Sequence, residues 1–352
     1  MRPSWQARCC TVVIRMLMRR ARWGSDAEAL ARRARRVFGT PNPLQWLCTR
    51  GVGIEPVRRG DVRGEWVTAA RAGQGVILYM HGGGYVAGSP ATHRSITAAL
   101  ARLTGRRVFS LDYRLAPEHR FPAALDDALA AYRWLLGQGI APGTLALAGD
   151  SAGGGLVLAL ALRARDEGLP QAACGICLSP WTDLDGTGES LIANNGLCAT
   201  FRPENIAEFA QVYLGPAAAR HPYASPLYAD LHGLPPLLFQ VGSEDLLLDD
   251  SRRMHEAVRR AGGTSTLQVT DGVFHVWQIF DGFLPEARTA LIAVADFAAN
   301  SGQQTLGNRR GPRLSRGLRN VGGPGAISGP PAKKTGPAGE SRALCKPRRG
   351  AS

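Results

Sequence analysis

The stretch TLALAGDSAGGGLVLALAL, residues 144–162, limits what this chain can fold into more than any other. A strand-like apolar run ends at Asp150, a helix-like apolar run begins at Ala152, and one serine separates them. Gly149 and Gly153 flank that serine where a strand and a helix that turn sharply against each other leave no room for side chains. Ser151 is therefore expected on a strained strand-to-helix turn, its hydroxyl standing clear of a sheet edge. A phosphate-binding turn does not fit, because no Walker-type Lys or Thr follows the glycines and no GxGxxG is present.

Such a turn needs a sheet on one side and helices over it. Between about residues 50 and 300 the chain alternates short apolar runs with longer helical patterns, the signature of a mostly parallel sheet covered by helices. The runs GVGIEPV, EWVTAA, GVILYMH, RVFSLDY, TLALAGD, ACGICLS, PLLFQVG and STLQVTD are the expected strands. Helices are expected near 91–104, 122–137, 152–167, 249–262 and 285–299. In a sheet of this kind chemistry gathers beyond the carboxyl ends of the strands, where loops bring together residues distant in sequence.

Charge and cysteine usage narrow the class. The formal net charge of +14 is concentrated in residues 301–352, which hold eleven Lys/Arg against the single acid Glu340. Eleven glycines and six prolines in that stretch, without interleaved aromatics, predict a disordered basic tail and no specific nucleic-acid reader. Seven cysteines, an odd number in a chain long enough to need no staples, point to a reducing, cytoplasmic setting. Cys174 and Cys177 form a CxxC inside an apolar run with no second pair nearby, so core packing is expected of them.

Arg15 interrupts the first apolar stretch and no small-residue cleavage site follows, so residues 1–24 read as a helix and not as a signal peptide. The spacing of Trp5, Cys9, Val12, Met16 and Leu17 predicts an apolar face docked on the protein's own body, with attachment to a membrane surface as the alternative. A second helix is expected from Ser25, with Glu28 completing a capping box. Nowhere is there an apolar run of 18 residues, so a transmembrane segment is not expected.

A serine hydroxyl attacks only when a positioned base takes its proton. Of His81, His93, His119, His221, His232, His255 and His275, the last follows the final strand in TDGVFHVWQIF, where a base can reach over the sheet edge. His255 falls inside a charged helix and is expected to face solvent. The acid behind the base is sought in VGSEDLLLDD, where Asp249 and Asp250 read as the start of a helix, and spacing leaves Glu244 and Asp245 both open. Attack on an ester also creates an oxyanion, which needs backbone N–H donors. The loop of Gly82, Gly83 and Gly84 after the third strand can offer them without side chains in the way, and the N–H of Ala152 would complete the set.

Taken in order, HGGGY (81–85), DYRLAPEHRFPAALDDA (112–128), GDSAGG (149–154), SPWTDL (179–184), VGSEDLLLDD (241–250) and FHVW (274–277) resemble the hormone-sensitive-lipase family of α/β-hydrolase esterases over roughly residues 45–300. The resemblance implies an α/β-hydrolase fold with a mostly parallel eight-stranded sheet, flanking helices and a helical cap. It implies Ser151 as nucleophile, His275 as base and Asp245 as acid, and gives His81 and Glu118 structural roles. The implied organisation is a helical cap segment at 1–45 and a catalytic domain at 46–300 with a cap insertion at about 185–225, whereas the tail at 301–352 has no counterpart in the family pattern. Val276-Trp277 replaces the Gly-Phe common in the family after the histidine, which should reshape the pocket wall. The expected activity is hydrolysis of short- to medium-chain acyl esters through an acyl-enzyme, with a small-molecule ester as partner and no metal or cofactor; a homodimer is compatible with it. The competing reading, a ligand-binding receptor on the same fold resembling the plant gibberellin receptors, conflicts with the histidine at 275, which such receptors lack.

Overall fold

The computed structural model describes residues 3–18, 26–41 and 45–307. All eight expected strands form, as β1 (Val52–Arg59), β2 (Val62–Ala69), β3 (Val76–Met80), β4 (Arg107–Leu111), β5 (Leu145–Asp150), β6 (Cys174–Leu178), β7 (Leu237–Gly242) and β8 (Ser265–Thr270). They make one sheet in the order β1-β2-β4-β3-β5-β6-β7-β8, antiparallel between β1, β2 and β4 and parallel from there on. The inner strands β3, β5, β6 and β7 are buried along their whole length, which is why they read as unbroken apolar runs. The edge strands β1 and β8 are partly exposed and carry more polar residues.

The helices are α1 (Trp5–Met18), α2 (Ala27–Phe38), α3 (Gln45–Cys48), α4 (Arg94–Thr104), α5 (Ala123–Gly137), α6 (Ala152–Asp166), α7 (Ser190–Ala193), α8 (Pro203–Leu214), α9 (Leu248–Arg260) and α10 (Pro285–Gly307). One core layer joins a sheet face to α5, α6 and α9, and a second joins the opposite face to α4 and α10. Cys174 and Cys177, three apart on β6, point into opposite layers, so they cannot close on one metal or on each other. Burial pushes both thiols up, Cys174 to about 11.

Four departures from the sequence expectation have local causes. The apolar face of α1 does not dock: Trp5, Val12, Met16 and Leu17 are exposed, as is Cys9, while Ala7 and Thr11 are buried, with Cys10 and Ile14 packed alongside. Small residues permit the close approach that the bulky ones would block. The N-cap of α2 is Asp26, whose side chain accepts from the N–H of Ala29; Ser25 lies outside the described residues. Helix α8 lies within the expected insertion at 185–225, opened by Pro203 at its first turn. Finally, α10 continues past residue 299 to Gly307, because Gln303 to Leu306 suit a helix and Gly302 alone does not stop one. The expected tail from 308 on lies outside the described residues.

The register sets the position of the site. Met80 on β3 lies beside Gly149 on β5, so the glycine loop leaving β3 and the turn leaving β5 emerge side by side. A Cβ added at Gly153 would stand 2.0 Å from the carbonyl oxygen of Met80 and 2.6 Å from that of His81. Gly153→Ala must therefore push β3 and α6 apart. We expect it to cost about 3 kcal/mol or more, read as a lowered urea midpoint at unchanged slope.

Candidate active site

Ser151 leaves β5 with φ 53° and ψ −121°, a conformation that a side-chain-bearing residue adopts only when its surroundings hold it there. Its N–H donates to the carbonyl of Leu178 at 2.8 Å, and its own carbonyl accepts from Trp181 and Gly155 at 2.9 and 3.1 Å. Both flanks are closed: a Cβ at Gly149 would lie 2.4 Å from the Gly153 carbonyl oxygen. The hydroxyl is thereby presented at the sheet edge, ahead of the first turn of α6.

His275 reaches that hydroxyl from the loop after β8. Its Nε2 stands 2.9 Å from Ser151 Oγ, and its Nδ1 stands 2.8 Å from Asp245 Oδ2. The imidazole is buried, which alone would lower its pKa, but the adjacent Asp245 carboxylate outweighs burial and holds it above the usual imidazole value. Asp245 is fixed in turn: its second oxygen accepts from the Leu247 N–H at 3.1 Å, and Asn194 donates to its backbone carbonyl at 2.8 Å. Of the acids that spacing left open, the structure brings Asp245 to the histidine. Asp249 and Asp250, at the start of α9, turn elsewhere: Asp249 accepts from the Ser190 N–H of the insertion, and Asp250 from the N–H groups of Thr182 and Asp183 in the segment after β6. Burial, with Asp183 nearby, outweighs those donors and pushes Asp250 up to about 7. His255 is half-buried against Ser265 of β8, not free in solvent.

The glycine loop owes its shape to steric space it leaves empty. Gly83 and Gly84 have φ of 117° and 63°, and a Cβ on them would meet Ala87 O at 2.2 Å and the Phe209 ring at 2.5 Å. The Gly83 carbonyl is engaged by the N–H groups of Val86 and Ala87, which turns the loop back on itself. Ala152 opens α6, where backbone N–H groups lack an acceptor within the helix. Gly83, Gly84, Ser151 and His275 line one narrow pocket, walled by Phe38 of α2, Trp181, Phe201, and Ile206 and Phe209 of α8. A wider polar groove between α2 and residues 117–120 is lined by Glu28, Arg32, Arg35, Glu118 and Arg120. There Arg35 holds Glu118 through two hydrogen bonds of 2.6 and 2.8 Å and also donates to the Val86 and Ala116 carbonyls, strapping α2 to the body.

A second cluster lies directly behind the serine. The carboxylate of Asp150 accepts from Tyr79 OH at 2.5 Å and from the Gly82 N–H at 3.0 Å, and pairs with His93 Nε2 at 3.3 Å. All three side chains are buried. Burial opposes both charges, yet each partner overcomes it in the other: Asp150 is held below the carboxylate range and His93 above the imidazole range. His81, stacked on Tyr113 at 4.2 Å, is kept neutral, lowered to about 3 by burial and the nearby His93. Sequence reasoning singled out neither Asp150 nor His93 nor Asn194. The one available signal was a carboxylate inside an otherwise apolar strand end. Among the described residues, no group of three His, Cys, Asp or Glu side chains is placed to hold a metal ion.

Comparison with known proteins bears on the fold and the family. A family model described as the alpha/beta hydrolase fold matches residues 77–279. An acetyl-hydrolase of Streptomyces hygroscopicus is 43% identical over 249 residues, covering 70% of this chain and 83% of that protein. An esterase of Acinetobacter venetianus is 39% identical over 250 residues, covering 71% and 82%. Among solved structures, an esterase from the bacterial hormone-sensitive lipase family superposes with a TM-score of 0.78 at 41% identity, covering 86% of this chain and 99% of that one.

The buried pair behind the serine has a measurable signature. Asp150, depressed on folding, contributes stability above an unfolded carboxylate's pKa and loses it as pH falls through its folded value. His93, raised on folding, contributes below an unfolded imidazole's pKa and loses it as pH rises through its folded value. His93→Leu should therefore destabilise the protein by about 3 kcal/mol, most between about pH 4 and 6.5 and less on either side. Urea unfolding of both proteins across that range checks the sign and the window.

Proposed function

The chain belongs to the hormone-sensitive-lipase-like family of α/β-hydrolase fold esterases and is a carboxylic ester hydrolase, and from that premise we propose that it cleaves short- to medium-chain acyl esters through Ser151, His275 and Asp245. The observation that carries this reading is the unbroken line of short contacts from Asp245 through His275 to a serine hydroxyl facing a pocket edged by Gly83 and Gly84. His275 Nε2 takes the hydroxyl proton as Oγ bonds to the ester carbonyl carbon. The imidazolium so formed is stabilised by Asp245 behind it.

The carbonyl oxygen becomes an oxyanion and is met by the N–H groups of the 82–84 loop and of Ala152, donors in place before the charge appears. Collapse expels the alcohol, which leaves with the proton from His275, and the acyl group stays on Ser151. Water then attacks with His275 again as base, releasing the acid and restoring the serine. The apolar wall of Phe38, Phe201, Ile206 and Phe209 takes the acyl chain. Each methylene it desolvates is worth about 0.8 kcal/mol, roughly fourfold in affinity.

Ser151→Ala should abolish labelling by a fluorophosphonate and lower kcat by roughly a millionfold, the remainder coming from binding and the oxyanion donors. Labelling that survives the substitution would remove the serine from this role. Asp245→Asn tests the line behind it: kcat should fall by roughly ten-thousandfold. Because the carboxylate raises the His275 pKa, its loss should also move the acidic limb of the kcat/KM profile to lower pH. Phe38→Ala tests the wall. Hexanoate esters should lose about tenfold more in kcat/KM than acetate esters, whereas equal losses would show that Phe38 supports the fold without grading acyl length.

A further inference from the structure

Helix α1 is apolar on two opposite sides, and the larger side faces water. With 100° between successive residues, Ala7, Cys10, Thr11 and Ile14 fall on one face, which packs on Val273, Phe274, Trp277, Leu284 and Ala287. Trp5, Val12, Val13, Met16 and Leu17 fall on the other, where Trp5, Met16 and Leu17 are 67%, 60% and 69% exposed. A helix whose only task was to cover the body would place these the other way round.

The helix is tied to a neighbouring loop. Arg15 donates to the carbonyl of Leu197 at 2.5 Å, and Leu197 is itself exposed. Four residues further along that loop stands Phe201, which walls the pocket over Ser151.

Charge identifies what this face meets. Residues 1–25 carry six arginines, at 2, 8, 15, 19, 20 and 22, and the first acid is Asp26. Arg8, exposed, stands on the border of the exposed apolar arc, the place of a basic side chain reaching the headgroups from a helix that lies in a lipid interface, while Arg15 on the same border ties the helix to the Leu197 carbonyl. A second copy of this chain would set arginines against arginines.

We propose that α1 seats this protein on an anionic lipid surface, with Trp5, Val12, Val13, Met16 and Leu17 in the acyl boundary and Arg8 at the headgroups. No helix among the described residues is long and apolar enough to cross a membrane, so the attachment is to the surface. The seat brings the loop that ends at Phe201 to the lipid, so the pocket opens close to where poorly soluble esters partition.

The test uses the full chain and sedimentation with vesicles of phosphatidylcholine alone or mixed with phosphatidylglycerol. The intact protein should bind the mixed vesicles, with a blue shift in tryptophan emission, and bind much less to phosphatidylcholine alone or at high salt. Trp5→Ser/Met16→Ser/Leu17→Ser should weaken partition about a hundredfold. The single exposed change Arg8→Glu, which leaves packing alone and decides the matter if the triple variant misfolds, should weaken it about tenfold. Binding that survives both changes would assign attachment to the basic C-terminal segment and overturn the proposal. So would failure of the intact protein to bind, or a dimer that dissociates in the triple variant. Turnover of a soluble acetate ester without vesicles should be unchanged in these variants. It reports separately on the proposed chemistry, so loss of one reading does not carry the other with it.

Discussion

A carboxylate sealed away from water must be matched by partners that come to it, and in this protein those partners are drawn from separate parts of the chain. Asp150 ends β5 immediately before the serine, Tyr79 belongs to β3, Gly82 to the loop that follows, and His93 to the turn that opens α4. Leaving that charge unpaired would cost several kcal/mol, so the elbow, the glycine loop and the α4 turn are held in one arrangement. The positions of the serine and of the glycine loop beside it are therefore not set independently. Both follow from satisfying one buried anion.

Around that fixed centre the labour is divided between rigid and adjustable parts. Ser151, Asp245 and His275 stand on the turns and loops that follow β5, β7 and β8, strands whose ends the sheet register fixes. The pocket wall comes from α2, the 201 loop and α8, which lie outside the sheet and are tied to it by side-chain bonds such as Arg35 to Glu118 and Asn194 to the Asp245 carbonyl. On the proposed function, chemistry falls to the first group and selectivity to the second.

The strands were legible because both-face burial writes itself as an unbroken apolar run, and the glycine-flanked serine was legible because a sharp turn tolerates few residue types. The histidine could be read from its place after the last strand. Glu244 and Asp245 could not be separated by spacing, because one step along a loop reverses a side chain's direction and only the folded turn decides which faces His275. Helix α8 was missed because PENIAEFAQVYL carries a weak apolar period inside a segment otherwise rich in turn residues. The face of α1 was misjudged for a more general reason. Periodicity reports that a helix has an apolar side, and size matching at the contact, here Ala7 and Cys10 against Phe274 and Trp277, decides which side is used.

That contact also bears on how the chain is made. The partners of α1 are Val273, Phe274, Trp277, Leu284 and Ala287, and Ser4 at its start bonds Glu286 at the head of α10. Helix α1 is thus seated by residues synthesised some 270 positions later. At ordinary elongation rates this interval is about 15 to 60 seconds. Throughout it the helix has both apolar sides uncovered and no native surface to occupy. A ribosome-bound chain can hold a finished turn at Ser151 well before the loop that carries His275 exists.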